Sequence, residues 1–300
     1  NEPTMMKDGN PGGRVVLAKG TNDLLKIAGY AKRDMSVGNI EHVVELENPT
    51  ETSTGHSEAE RLLLTYAKFK DNTWTYDGAD SSPTSESNEV FGGISYMGHT
   101  TDNNVLTVTG VPDGGLAAAY GGKTAAGAAN STNNHVNVIG THPQTAGMTG
   151  GIKNVYGGYT VSDYAEDTNG KAVAGVAAGN EAVVYDGTVS EGLYGGYTKG
   201  NKGKARSNKA IVGGGSVANV YGGIATENGG EATENKAEVY GGTVTNVYGG
   251  AVDKVDAAAR KNKVQVRGGT VTGEIAGARA VYDTTPTATH TLSNGNNVML

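Results

Sequence analysis

Six aromatic residues, Phe91, Tyr120, Tyr156, Tyr194, Tyr221 and Tyr248, each follow an aliphatic or Ala residue and precede Gly-Gly. A ring recurring in that setting can lend its face to a sugar. Alternatively, it can stack on its own copies, each neighbour pair adding roughly 0.5–1 kcal/mol. Tyr159 and Tyr197 follow two of the Gly pairs and are further candidates for ligand contact. Polysaccharide cleavage would need two or three carboxylates converging on one groove; Asp163, Glu166, Asp167 and Glu191 are the acids to watch. Other chemical signatures fail on spacing. Gly121-Gly122-Lys123-Thr124 ends like a phosphate-binding loop, but its first Gly would fall at Ala117. Gly214-Gly215-Ser216-Val217-Ala218 breaks the nucleophile-elbow pattern at its last position. The 6 His residues show no close metal-ligand spacing, and with 0 Cys there is neither a thiolate site nor a disulfide framework. No catalytic residue, metal or cofactor is expected.

What positions these rings is a repeat. Asn208 to Gly223 recurs as Asn235 to Gly250, 27 residues on, and again, one residue longer, from Asn262 through Ile275-Ala276-Gly277. The unit reads N-x-[A/V]-x-V-x-G-G-[T/S]-V-x-x-V-Y-G-G. Looser copies run from Asn180, Asn134 and Asn104, Phe91-Gly92-Gly93 ends an earlier one, and Val15 to Gly29 fits a first copy without the Tyr. Ala237 and Val239 alternate with Glu238, as Val264 and Val266 do with Gln265: a period of two, hence strands. Strands of about four or five residues bury no face alone and gain a core by stacking at roughly 4.8 Å per layer.

The predicted fold class is therefore all-β, a single-stranded parallel β-helix of either hand, with roughly eight to nine coils of about 27–38 residues. Three short faces per coil are expected, the third in the variable stretch after Y-G-G. Gly-Gly is read as a corner. Asn154, Asn219 and Asn246 are read as a second, laddered corner, because Val244 and Val247 lie three apart and both need to face inward. The outward column Thr107, Asn137, Val183, Ile211, Glu238, Gln265 holds one carboxylate and no pair, which disfavours an enzyme. Aliphatics inside and Tyr outside is the expected placement of the V-Y pair.

Composition agrees. Gly fills 48 of 300 positions, and 2 Phe, 1 Trp and 15 Tyr leave the core thin and aliphatic. A net charge of −7 gives no basic footprint for nucleic acid. No apolar run approaches the roughly 18 residues of a bilayer span. Asn1-Glu2-Pro3-Thr4 carries no signal-peptide pattern, and Asn296 to Leu300 reads as the first strand of another unit, so a segment of a longer, exported protein is expected.

Tandem V-Y-G-G units, as in Val155 to Tyr159, Leu193 to Tyr197, Val220 to Gly223 and Gly241 to Gly250, resemble the passenger regions of autotransporter-type (type V secretion) adhesins of Gram-negative bacteria. The resemblance covers residues 90–300 well and the first 47 weakly. It implies an extracellular, outer-membrane-anchored β-helical stalk over 1–300, exported through a C-terminal barrel that this chain does not contain. Adhesion or aggregation would be its role, with a host-cell or bacterial surface receptor, glycan or protein, as partner, and self-association as another route.

The segment 48–88 departs from the repeat and is expected to project as a loop or small subdomain. It carries the sole Trp, Trp74, with Tyr66 and Tyr76, and these three join Tyr159 and Tyr197 as the predicted ligand-binding residues. A non-catalytic adhesin segment is the reading of choice. A polysaccharide-cleaving β-helix and a purely structural spacer are the alternatives.

Overall fold

The structure, a computed structural model, describes residues 14–16, 45–47, 73–78, 89–95, 100–124, 129–143, 150–161, 165–166, 172–254, 256–280, 291–293 and 295–300. One coil runs through Lys209–Val212, Ser216–Ala225 and Glu231–Thr233, and the next through Lys236–Val239, Thr243–Val252 and Ala258–Arg260. Each strand pairs in parallel with its equivalent one coil away: Ala210 with Ala237, Tyr221 with Tyr248, Ala232 with Ala259. The repeats thus stack into three walls of 8, 8 and 7 strands, a single-stranded parallel β-helix. The third wall does lie in the variable stretch.

The 7 strands of that wall make six full turns from first to last, fewer than eight to nine. The shortfall is at the N-terminal end. Arg14–Val16 pairs antiparallel with Glu45–Glu47, so the expected first copy is not a coil of the stack. Conversely, Thr73–Tyr76 lies inside the supposed 48–88 excursion yet pairs in parallel with Val105–Val108 and begins the first wall. Its period-two T-W-T-Y pattern is a strand signal that the surrounding irregular sequence obscures.

The interior is narrow. The first wall contributes Leu106, Val136, Ala182, Ala210, Ala237 and Val264, and the second Val90, Ala119, Val155, Leu193, Val220 and Val247, all buried. Val244 and Val247 both face in, as their spacing predicted. Between the third and first walls runs a buried Asn ladder: Asn104, Asn134, Asn180, Asn208, Asn235, Asn262 and, half-buried at its end, Asn296. Each Nδ2 donates to the Oδ1 of the next, from 2.7 Å at Asn104 to 3.2 Å at Asn262. The backbone N–H of each donates to the same oxygen. From Asn134 on, the second Nδ2 proton goes to a third-wall carbonyl of the previous coil, as from Asn208 to Ala177 O at 2.9 Å. The residue before each ladder Asn has a positive φ, 54° at Asn103 and Ser207, 58° at Glu234, which turns the chain sharply enough to aim the amide inward.

The two Gly pairs of the unit do different jobs. Gly215, Gly242 and Gly269, with φ of 72°, 76° and 80°, turn the corner between first and second walls. The pair after Tyr does not turn a corner by left-handed backbone; it lies within a continuous second-wall strand such as Ile152–Val161. There a Cβ on Gly157 would lie 2.7 Å from the Glu181 backbone across the core, and one on Gly158 2.3 Å from Asn180 Cγ. Glycine is required by the thinness of the coil and by the Asn ladder it covers. Among the described residues no helix is long and apolar enough to cross a membrane.

Candidate functional site

The outer face of the second wall carries the aromatic residues that the repeat singles out. Parallel pairing places Phe91, Tyr120, Tyr156, Tyr194, Tyr221 and Tyr248 on successive coils. Their rings stack at centroid distances of 5.2, 4.9, 4.8, 5.1 and 5.1 Å. Three residues on, past the Gly pair, a second column holds Lys123, Tyr159, Tyr197, Ile224 and Ala251. Tyr159 and Tyr197 stack at 4.9 Å and meet the first column edge-on, Tyr156 to Tyr159 at 5.1 Å and Tyr194 to Tyr197 at 5.4 Å.

Cations close both ends of this seam. Lys123 Nζ lies 4.5 Å from the Tyr120 ring centroid and 2.7 Å from Glu89 Oε2. At the other end Arg279 sits 5.0 Å over Tyr248 and donates to Tyr221 Oη at 3.3 Å. Tyr120 Oη donates to Glu89 at 3.0 Å and Tyr248 Oη to Glu274 at 2.9 Å. Burial, then neighbouring Glu and Tyr oxygens, push the phenols of Tyr120 and Tyr156 far up, and burial with the Glu274 hydrogen bond brings Tyr248 to about 12. All three stay neutral at ordinary pH.

The face of each ring in the first column is thus occupied by the ring of the next coil. The column offers solvent its edges, and Tyr120, Tyr156, Tyr221 and Tyr248 are buried although they lie outside the coil. This arrangement stiffens the rod; it leaves no broad ring face for a sugar. Of the predicted ligand residues, Tyr159 and Tyr197 are brought together here, half-buried against the core cluster. Tyr76 is only 2% exposed and sits among core residues, so its ring is not on the surface; the first wall claims its strand. The backbone of Trp74 occupies the position paired with Leu106. Tyr66 lies outside the described residues.

Three carboxylates beside the seam are spread along the rod. Glu89, Glu191 and Glu274 belong to coils three steps apart, roughly 14 Å per interval, beyond the ~5–9.5 Å that separates glycosidase pairs. Glu191 accepts from Asn154 Nδ2 at 2.7 Å. Asp163 and Asp167 lie outside the described residues, while Glu166 lies in Ala165–Glu166, the first strand of a small antiparallel hairpin with Ala172–Val173. Among the described residues no group of three His, Asp or Glu side chains could hold a metal.

The outward column of the first wall holds a feature that single-residue inspection missed. Glu238 is 2% exposed, bridged by Lys209 at 2.9 Å and by Lys236. Burial raises its pKa, but the hydrogen bonds and charges of the two lysines outweigh that and leave it below the ordinary value. Glu181 is lowered by its hydrogen bond to His135, against burial, with Lys209 also helping. The signal was available in the coil period, which sets Glu181 against Lys209 and places Lys209 and Lys236 in the column beside the one that holds Glu238.

The outer Asn column also forms, in part. Asn246 Nδ2 donates to Asn219 Oδ1 at 2.9 Å, but an extra residue bulges the strand between Val189 and Gly192 and puts Gly192 where an Asn would continue the ladder. No family model, curated protein or solved structure matches the chain.

Proposed function

We propose that the chain is a non-catalytic, adhesive segment of a bacterial surface adhesin: a stiff rod, displayed outside the cell, that presents loops to a receptor. The observation carrying this reading is the continuous in-register stack of six turns, sealed inside by the Asn ladder and outside by the capped aromatic seam. Such a stack transmits position along its length and has no need of a catalytic groove. Insertions cluster after the second-wall strand, where the hairpin of Ala165–Glu166 and Ala172–Val173 departs from the coil. Insertions on one side of a solenoid are where binding commonly resides, and many weak loop contacts add through avidity. The occupied ring faces favour one second reading, a plain stalk.

Display of the chain on a non-adherent bacterium, with attachment scored on host-protein and glycan surfaces, tests the proposal. Attachment that drops at least tenfold when 162–174 is replaced by a short turn is the expected result. Absence of attachment by the intact chain would sink the adhesive reading and leave the stalk.

A further inference from the structure

At the corner that follows the first wall, Ile139, Tyr185, Gly213, Tyr240 and Arg267 occupy successive coils. Their N–H groups donate to Val108, Val138, Val184, Val212 and Val239, each one coil earlier. Tyr185 and Tyr240 are 55% and 45% exposed, the two aromatic side chains among the large exposed apolar residues described. Gly213, between them, has no side chain and is itself exposed. Two coil steps put the flanking residues roughly 9.6 Å apart.

Gly213 differs from the other glycines of the repeat. Its φ is not positive, and a Cβ would meet Tyr185 Cδ1 and Val184 O at 3.6 Å, ordinary contact. Neither backbone conformation nor close approach demands glycine here, so the vacancy is a surface property and the fold does not depend on it. Its dimensions can be read from the seam on the second wall, where Tyr156 sits 4.9 Å from Tyr120 and 4.8 Å from Tyr194. A six-membered ring level with Gly213 would lie one coil step from Tyr185 and one from Tyr240. The Arg267 guanidinium lies 5.8 Å over the Tyr240 ring from the next coil, and Ile139 precedes Tyr185 in the column. Tyr240 Oη is anchored to Glu238 Oε1 at 3.1 Å, which fixes that wall of the slot.

We propose that Tyr185, Gly213 and Tyr240 form a slot for one pyranose ring of gluco configuration. A ring held between two aromatic faces must show C–H groups on both sides, which all-equatorial hydroxyls provide and an axial hydroxyl, as in galactose, does not. The hydroxyls then radiate in the ring plane toward a polar rim, where Asp186, Thr188, Ser216 and Thr243 are all exposed. An aromatic side chain of a partner protein would leave that rim unused. The inference goes beyond the attachment reading and does not depend on it, because a soluble monosaccharide reads the slot directly, whether or not cells adhere.

The test is a titration of the intact chain, followed through its amide resonances, with methyl β-glucopyranoside, methyl β-galactopyranoside and p-cresol as separate arms. The glucoside is expected to shift the Tyr185, Gly213 and Tyr240 amides with saturation in the millimolar range, as one exposed ring contact supplies. The galactoside should bind several-fold more weakly. Gly213→Tyr completes the column and should abolish the shifts with the thermal melt unchanged; Tyr185→Ala with Tyr240→Ala removes the walls at exposed positions and should do the same. No shift with glucoside in the unaltered chain, or shifts that persist in either variant, would overturn the slot. Binding of p-cresol without glucoside would overturn the sugar and assign the slot to an aromatic side chain.

Discussion

The buried Asn ladder and the outer Tyr seam use one coil spacing for opposite chemistry. Inside, where water cannot substitute, every rung is polar and each amide satisfies groups on the neighbouring coils. Outside, where water is at hand, the rungs are aromatic and bury one another. The difference shows which interaction tolerates loss. A missing ring uncovers surface that water can wet, whereas a missing amide strands donors and acceptors in a dry interior.

Asn208→Ala should therefore be the costliest change. It leaves the Asn180 N–H and one Asn180 Nδ2 proton without partners and removes a donor from Ala177 O, about 4 kcal/mol by denaturant unfolding. Tyr194→Ala removes two stacked neighbours and an edge contact and should cost about 3 kcal/mol; a larger loss than for Asn208→Ala would break the comparison. Gly222→Ala places a Cβ 2.3 Å from Gly249 O, and the overpacked coil should lose about 2 kcal/mol, read in the same assay.

Acid sharpens the comparison further, since the Asn ladder does not titrate. The folded pKa values of Glu181 and Glu238 lie below the ordinary 4.5, so their stabilisation is present above that value and is lost as pH falls through the depressed ones. Asp253 is raised by burial, against Arg279, and has the opposite sign: protonation relieves it. A melting temperature that falls by a few degrees below pH ~4.5, and falls less in Glu238→Gln, is the expected result. At the small end, Gly213→Ala should change stability by less than about 0.5 kcal/mol, in contrast to Gly222→Ala.

The fold was largely legible because the repeat exposes itself: a recurring unit, alternation of two, and length changes that fall mostly after Y-G-G, although the connections Val108 to Leu116 and Val138 to Ile152 are also longer than their later counterparts. The inward aliphatics and outward Tyr of each V-Y pair follow from strand geometry, and the structure places them so. The ladder was hidden in plain view. Asn opens every unit, but whether it points in depends on the left-handed residue before it, and Asn103, Ser207, Glu234 and Lys261 share no residue type that announces that conformation. The function assigned to the post-Tyr glycines was misread for a related reason, because cross-core distance is a property of the closed coil. Tyr76 lay in sequence that looks irregular, and only parallel pairing with Val105–Val108 shows it to be core. The Tyr185, Gly213, Tyr240 column is spelled out in the unit, yet one position that varies among Tyr, Gly and Arg carries no weight until the coils are stacked.

The Asn ladder also bears on how such a chain changes length. From Asn208 to Asn262 each junction repeats the same bonds 27 residues on. Duplication or loss of one whole unit at the gene level would join compatible ends and lengthen or shorten the rod by roughly 4.8 Å. Insertions between rungs leave the ladder intact, since the same amide bond joins Asn104 to Asn134, Asn134 to Asn180 and Asn262 to Asn296 across coils of unequal length. Rod length among descendants of such a gene is thereby quantised in single coils, while the number of residues per coil is free to vary.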